Sequence, residues 1–237
     1  MDSGRKLIAE AVGTFFLCFA GIAAILSTQP PINSGAGLIG IALAHGLALS
    51  IAVSIFGGLS GAHFNPAVTV GFLFAGRIKP RLALLYIVSQ LAGATVAAVA
   101  CKAIFPAIVV ESAKLGIPLP GGEWVTQDTI LYTEFILTFL LMMAVYGTAV
   151  DERGKAVKIG GFGIGLTLAF DILAAGPVTG ASMNPARSFG PAFVYGDFDL
   201  HWCYWVAPVA GAIVAALLYE HVLLEKPPTI GGFAAGE

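Results

Sequence analysis

The sequence predicts an all-α membrane protein: six transmembrane helices plus two re-entrant half-helices, laid out as two inverted repeats. Three observations predict it. Of the 237 residues, 57% are hydrophobic and 11% charged, whereas soluble domains carry about 25% charged residues, so a bilayer is the expected solvent. Six apolar runs, at roughly 6–28, 36–58, 82–105, 130–150, 158–178 and 202–224, each approach the ~20 residues needed to cross the hydrocarbon layer. Finally, the stretch Ser60-Gly-Ala-His-Phe-Asn-Pro-Ala67 returns in the second half as Thr179-Gly-Ala-Ser-Met-Asn-Pro-Ala186.

In chain order, the first run, Leu7 to Leu26, is long enough to span and so reads as a helix rather than a cleavable leader. It carries Glu10 among apolar neighbours. The second run leads into 59–76, apolar but punctuated by Gly and Pro. A lipid-exposed loop there would strand backbone N–H and C=O groups, so the segment is expected to dip into the bilayer wrapped by spanning helices. The third run carries small residues such as Gly93 and Ala97, which close helix contacts in lipid require. A connector, 106–129, with Pro106, Pro118 and Pro120, is expected to cross the outer face. The second half repeats the plan, with its own re-entrant segment at 179–195, and the tail from Pro227 to Glu237 reads as a short flexible end.

The correspondence between halves extends beyond the loops. Glu10-x-x-x-Thr14-Phe15 matches Glu134-x-x-x-Thr138-Phe139, Gly46-Leu47 matches Gly165-Leu166, and the pattern from Tyr86 to Ala98 returns from Tyr204 to Ala216. Three helices per half is an odd number, so the second copy enters from the opposite side. The repeats, about 1–105 and 125–224 of one domain covering 1–237, are therefore inverted, and their re-entrant segments point at each other near the midplane. With both termini cytoplasmic, Arg5, Lys6, Arg77, Lys79, Arg81, Arg153, Lys155, Lys158 and Lys226 fall on that side, leaving Lys102, Lys114 and Arg187 elsewhere. That asymmetry fits the positive-inside rule, and a plasma membrane is the expected location.

Asn is a favoured N-cap and Pro a favoured first helical residue. Asn65-Pro66-Ala67 and Asn184-Pro185-Ala186 are each expected to start a short helix, 66–76 and 185–195. The cap oxygen accepts the helix's own amide protons and leaves the side-chain NH2 to donate into a lumen. Two facing N-termini put roughly half a positive charge each at the midpoint. A water held there by its oxygen turns its hydrogens away, which breaks a proton wire and repels cations while neutral solutes pass. The preceding segments are expected to be extended, with the carbonyls of Gly61, Ala62, His63, Gly180 and Ser182 forming an acceptor ladder.

Arg187 follows Asn184 by one helical turn and lies on nearly the same face. A charge in an apolar chain is a functional candidate by default, snorkelling to the headgroups being the alternative. The first repeat has Val68 at the equivalent place. Glu10 and Glu134 suit acceptors for the loops' spare backbone N–H groups, with a proton relay as the alternative. His63 either lines an inner vestibule or packs as a polar residue. Asp171 pairs with His45 or a neighbouring backbone, or faces an outer vestibule. Cys18, Cys101 and Cys203 lack metal-ligand spacing and disulfide density, so neither metal nor cofactor is expected. The net charge of −2 gives no reason to expect nucleic acid. No nucleophile has an evident activating base, which argues against an enzyme.

The paired Asn-Pro-Ala motifs, the Glu-x-x-x-Thr-Phe starts and Asn184-Pro-Ala-Arg-Ser-Phe-Gly-Pro-Ala192 together closely resemble the aquaporins, the major intrinsic protein family, over essentially the whole chain. The resemblance implies one pore per subunit, a homotetramer, and a narrow filter at His45, Ile172, Ala181 and Arg187. This quartet departs from strict water channels, which carry Phe and His at the first two places, and from glycerol facilitators. It is similar to that of plant vacuolar aquaporins and of the animal group reported to pass ammonia and hydrogen peroxide. Ile172 would remove a polar wall opposite Arg187, and His45 would return a hydrogen-bonding group from another helix. The expected function is a passive channel for water and for ammonia, hydrogen peroxide or another very small neutral solute, with the lipid bilayer and copies of itself as partners. A strict water-only channel is one alternative. An ion-coupled secondary transporter is the other, but it would need an ion site at the helix break, and neither Asn-Pro-Ala loop offers a carboxylate.

Overall fold

The computed structural model describes residues 3–225; Lys226 and the tail Pro227–Glu237, expected above to be cytoplasmic and flexible, lie outside the described residues. The chain is helical throughout its core. In the first half, α1 (Ser3–Ser27), α2 (Gly37–Ser60) and α4 (Pro80–Ile104) are long, and the short α3 (Pro66–Phe74) lies between the last two. A connector holds the short α5 (Ala107–Ser112) and a 3-10 turn at Lys114–Gly116. The second half has α6 (Gln127–Val145), α7 (Glu152–Ala156), α8 (Gly160–Thr179), the short α9 (Pro185–Tyr195) and α10 (Cys203–Leu218), with α6 and α10 each ending in a wider π turn. Six of these helices, counting the π turns, are long and apolar enough to cross a membrane. The first half-helix stops at Phe74, two residues short of the expected end, where Ala75 caps it and Gly76 turns the chain at φ 73°.

Packing follows the internal symmetry. α1 lies on α4 as α6 lies on α10, α2 crosses α8, and each half-helix packs against the last long helix of the other half: α3 on α10, α9 on α4. Lipid offers no hydrophobic drive to bring helices together, so close backbone approach must do it. The glycines show where: a Cβ at Gly93 would collide with the Ala11 carbonyl, and one at the matching Gly211 with that of Phe135. Gly46 and Gly165 meet each other's carbonyls in the same way where α2 crosses α8.

The ends of the bundle sort the charges. At one end Arg77 forms an ion pair with Glu220, whose carboxylate also accepts from the Tyr146 hydroxyl at 3.2 Å. There too Arg153 ties Asp151 to Glu225, and the Tyr219 hydroxyl donates to Asp151 at 3.2 Å. At the opposite end Lys102 donates to the Val194 carbonyl and Lys114 pairs with Asp197. The hydrogen-bonded guanidinium of Arg153 holds the Asp151 carboxyl down at about 2, below its ordinary 3.8. A depressed acid contributes stability that is complete above the free-chain value and is lost as pH falls through the folded value. The clamp is thus expected to hold down to pH 3.8 and to open only towards pH 2. Amide exchange at Arg153, whose N–H donates to Asp151, reads this directly; opening at any higher pH would contradict it.

Candidate functional site

The two half-helices begin at one point. Asn65 and Asn184 have extended backbones (φ −155° and −147°), and their side-chain oxygens accept from Ala67 N at 2.8 Å and Ala186 N at 2.9 Å. Pro66 and Pro185 take the first helical positions, where a missing N–H costs nothing. The side-chain amides, however, are not wholly free. Asn65 Nδ2 donates to the Met183 carbonyl at 2.8 Å, and Asn184 Nδ2 to the Phe64 carbonyl at 2.9 Å. An NH2 carries two hydrogens; one from each Asn crosses to the other loop, and one is left over. The expectation that both would serve a lumen is corrected by half, because the crossed bonds are what hold the two N-termini together.

The segments before each Asn also differ from expectation. They are not extended: Ala62, Phe64, Ala181 and Met183 all adopt the left-handed region, at φ 52°, 51°, 43° and 53°. Gly61 and Gly180 make the entry to each segment possible, ending α2 and α8 at φ 91° and 80°, conformations that a side chain disfavours. The cause of the alternation is a buried acid behind each loop. Glu10 accepts from His63 N at 3.0 Å, Phe64 N at 2.8 Å, the Ser60 hydroxyl at 2.6 Å and the Gln90 amide at 2.8 Å. Glu134 accepts from Ser182 N at 2.9 Å, Met183 N at 2.7 Å and the Thr179 hydroxyl at 2.7 Å. Turning successive N–H groups to one carboxylate forces the chain to coil. Among the described residues the carbonyls of Gly61, Ala62, His63, Gly180 and Ser182 carry no protein donor, so they remain acceptors.

Arg187 does not snorkel. It is 3% exposed, and its guanidinium donates to the Gly116 carbonyl at 2.8 Å. The connector therefore does more than cross an outer face. Its 3-10 turn dips inward to meet α9, and Gly121 N, further along, donates to the Val178 carbonyl at 2.8 Å. His45 lies nearby on α2, its Nδ1 at 2.8 Å from the Ile41 carbonyl. A carbonyl only accepts, so Nδ1 carries the hydrogen, and in the neutral ring Nε2 is a bare acceptor. That Nε2 is buried and has no protein partner among the described residues.

A narrow cavity of about 20 Å³ is bordered by Asn65, Asn184, Arg187, His45, Ala181 and Val68. Beyond it a wider space of about 290 Å³ is bordered by Gly61, His63, Arg77 and Lys155. His63 does both things considered for it: it borders these spaces and also packs, with Nδ1 3.1 Å from the Thr69 hydroxyl and its ring 4.7 Å from Phe72. Ile172 is buried in the apolar cluster that includes Ala181 but does not border the cavity with His45 and Arg187. Asp171 pairs with neither His45 nor a backbone group, its two oxygens being buried without a partner among the described residues. Sequence reasoning missed Gln90, which braces Glu10 and Thr69 together, and the hydroxyls of Tyr86 and Tyr204, which donate to the Ser60 and Thr179 carbonyls. The paired tyrosines were visible as matched positions; Gln90 has Pro208 at its counterpart and left no such signal.

Six spans enclosing two half-helices that close head to head on one cavity define a membrane channel. The family described as MIP, major intrinsic protein, matches residues 1–219, and the chain belongs to it. Nodulin-26 of Glycine max is 41% identical over 224 residues, 94% of this chain and 80% of that one. Aquaporin TIP2-1 of Arabidopsis thaliana is 39% identical over 229 residues, covering 94% and 89%. Aquaporin TIP1-2 of Zea mays is 41% identical over 233 residues, covering 96% and 89%. Among solved structures, an aquaglyceroporin from Plasmodium falciparum superposes with a TM-score of 0.83 at 26% identity, over 94% of this chain and 97% of that one. Membership makes the protein a multi-pass channel of the bilayer and not an enzyme.

Proposed function

We propose that this chain is a passive channel for water that also admits ammonia, hydrogen peroxide or a similarly small neutral solute, and excludes protons and ions. The crossed hydrogen bonds between Asn65 and the Met183 carbonyl and between Asn184 and the Phe64 carbonyl carry the reading. They leave one spare N–H per Asn at the junction of two positive helix ends. A water passing there accepts from the two amides and keeps its hydrogens for the free carbonyls of Gly61, Ala62, His63, Gly180 and Ser182. Relatives named aquaporins support water as the permeant.

The narrow ring is assigned to His45, Ala181 and Arg187, with Ile172 as apolar backing. Arg187 supplies donors there, and the His45 ring, its Nε2 turned against Gly21, forms a facing wall. Both chain ends are assigned to the cytoplasm, because Arg77, Arg153 and Lys155 gather at one end of the bundle. The relatives lend no support to the plasma membrane expected from the sequence. A homotetramer, implied by the family resemblance, is proposed as the assembly.

Stopped-flow light scattering on the purified protein in liposomes tests the reading. Water permeability well above that of protein-free lipid is expected without any ion gradient, together with hydrogen peroxide or methylamine entry and glycerol exclusion. Flux that required an imposed ion gradient would instead identify a coupled transporter, and water flux alone a strict water channel.

A further inference from the structure

α1 contributes no residue to the sequence-derived filter, yet it underlies both sides of it. Gly21 is buried on this helix, and a Cβ added there would fall on the His45 ring, with Nε2, Cδ2 and Cε1 as its three nearest atoms. No other group is as close. The imidazole therefore rests its Nε2 end in a recess that exists because residue 21 has no side chain. Its other nitrogen is tethered to the Ile41 carbonyl, so the ring is fixed at both ends, and its open side is the cavity it borders. Next to Gly21 and one turn on, Ile22 and Ile25 support the connector. A Cβ on Gly116 would meet Ile25 Cδ1 at 3.5 Å and Ile22 Cα at 3.6 Å, and the Gly116 carbonyl is the group that holds Arg187.

We propose that Gly21 is a specificity-determining positioning residue: its missing side chain lets the His45 ring withdraw from the passage, and this sets the gap between His45 and Arg187. The proposal rests on the reading of His45 as part of the constriction. A methyl at position 21 would occupy the recess and push the ring towards the cavity, since the Ile41 tether closes off retreat along α2. Solutes larger than water would be affected most, because one carbon's worth of space in a tight site discriminates by about tenfold or more.

The test compares hydrogen peroxide with water permeability, per inserted protein, for the wild type, Gly21→Ala, His45→Ala and the double variant. Gly21→Ala is expected to lower the peroxide-to-water ratio about tenfold, His45→Ala to raise it, and the double variant to match His45→Ala. The double variant also controls for folding, because removing the ring vacates the place the new methyl needs. A double variant that inserts where the single one does not is therefore further support. A Gly21→Ala ratio equal to wild type, alongside a raised ratio in His45→Ala, overturns the proposal. So does a double variant that stays as low as Gly21→Ala or fails to insert, since Gly21 would then serve helix packing rather than the ring. An unchanged ratio in His45→Ala alone removes His45 from the constriction and fails the underlying reading instead.

Discussion

Replacing Glu134 with leucine should remove folded, conducting protein from the membrane, a loss of stability that among the described residues only Glu10 is expected to match. Its carboxylate accepts from Ser182 N, Met183 N and the Thr179 hydroxyl, all buried. Leucine accepts nothing, and each buried donor left unmet costs about 1–3 kcal/mol. Ala181 and Met183 also sit at positive φ, a strain that persists only while the surroundings enforce it, so the loop is not expected to keep its shape once the acid is gone. The combined loss is comparable with the ~5–15 kcal/mol that holds a typical domain together. Glu134→Gln is the graded control: its oxygen still accepts, but its NH2 would face another donor, so about one bond is lost. Thermal unfolding in detergent should rank wild type above Gln above Leu, with water flux following the folded fraction. A leucine variant as stable as wild type would mean the loop holds its shape without the acid. The same substitution at Glu10 should be at least as damaging, since four donors converge there.

How much of this was legible in the sequence depends on whether a feature repeats. Asn65-Pro66 and Asn184-Pro185 specify capped helix starts locally, and their recurrence in both halves placed the two starts opposite each other. Glu10 and Glu134 stood out because an acid at matched places in two apolar helices needs a partner. What the sequence could not show are arrangements imposed from elsewhere in the fold. Ala62, Phe64, Ala181 and Met183 are not residues that favour the left-handed region, so nothing local distinguishes their coil from an extended strand; the distant carboxylate decides. The crossing of the Asn amides is likewise a contact between loops in different halves. Gly116 lies in a connector with no periodicity and no counterpart, and Gly21 is one small residue among several on an apolar helix. Both became meaningful only when His45 and Arg187 were seen leaning on them.

Arg187→Val should uncouple ion exclusion from water passage. Among the residues bordering the central cavity, Arg187 carries the formal charge, and the first repeat already places Val68 in the equivalent position on the same cavity. The variant thus copies one half of the passage onto the other and adds no foreign shape. A cation about 5 Å from the guanidinium is opposed by roughly 3 kcal/mol at an effective dielectric of ~20, or about two orders of magnitude in occupancy. A neutral molecule feels no such net term, so water permeability should change by a small factor only. The two half-helix ends, about half a charge each, remain in the variant, so cation entry should rise without becoming free. The fold should survive, because one carbonyl, that of Gly116, loses its donor, whereas three donors lose their acceptor when Glu134 is removed. Proton and methylammonium entry into voltage-clamped proteoliposomes, measured beside stopped-flow water flux, separates the two quantities. Cation leak up by about a hundredfold with water nearly constant would place the electrostatic barrier at Arg187. Water and ions falling together would make Arg187 a structural brace for the connector, and unchanged exclusion would shift the barrier onto the paired amides of Asn65 and Asn184.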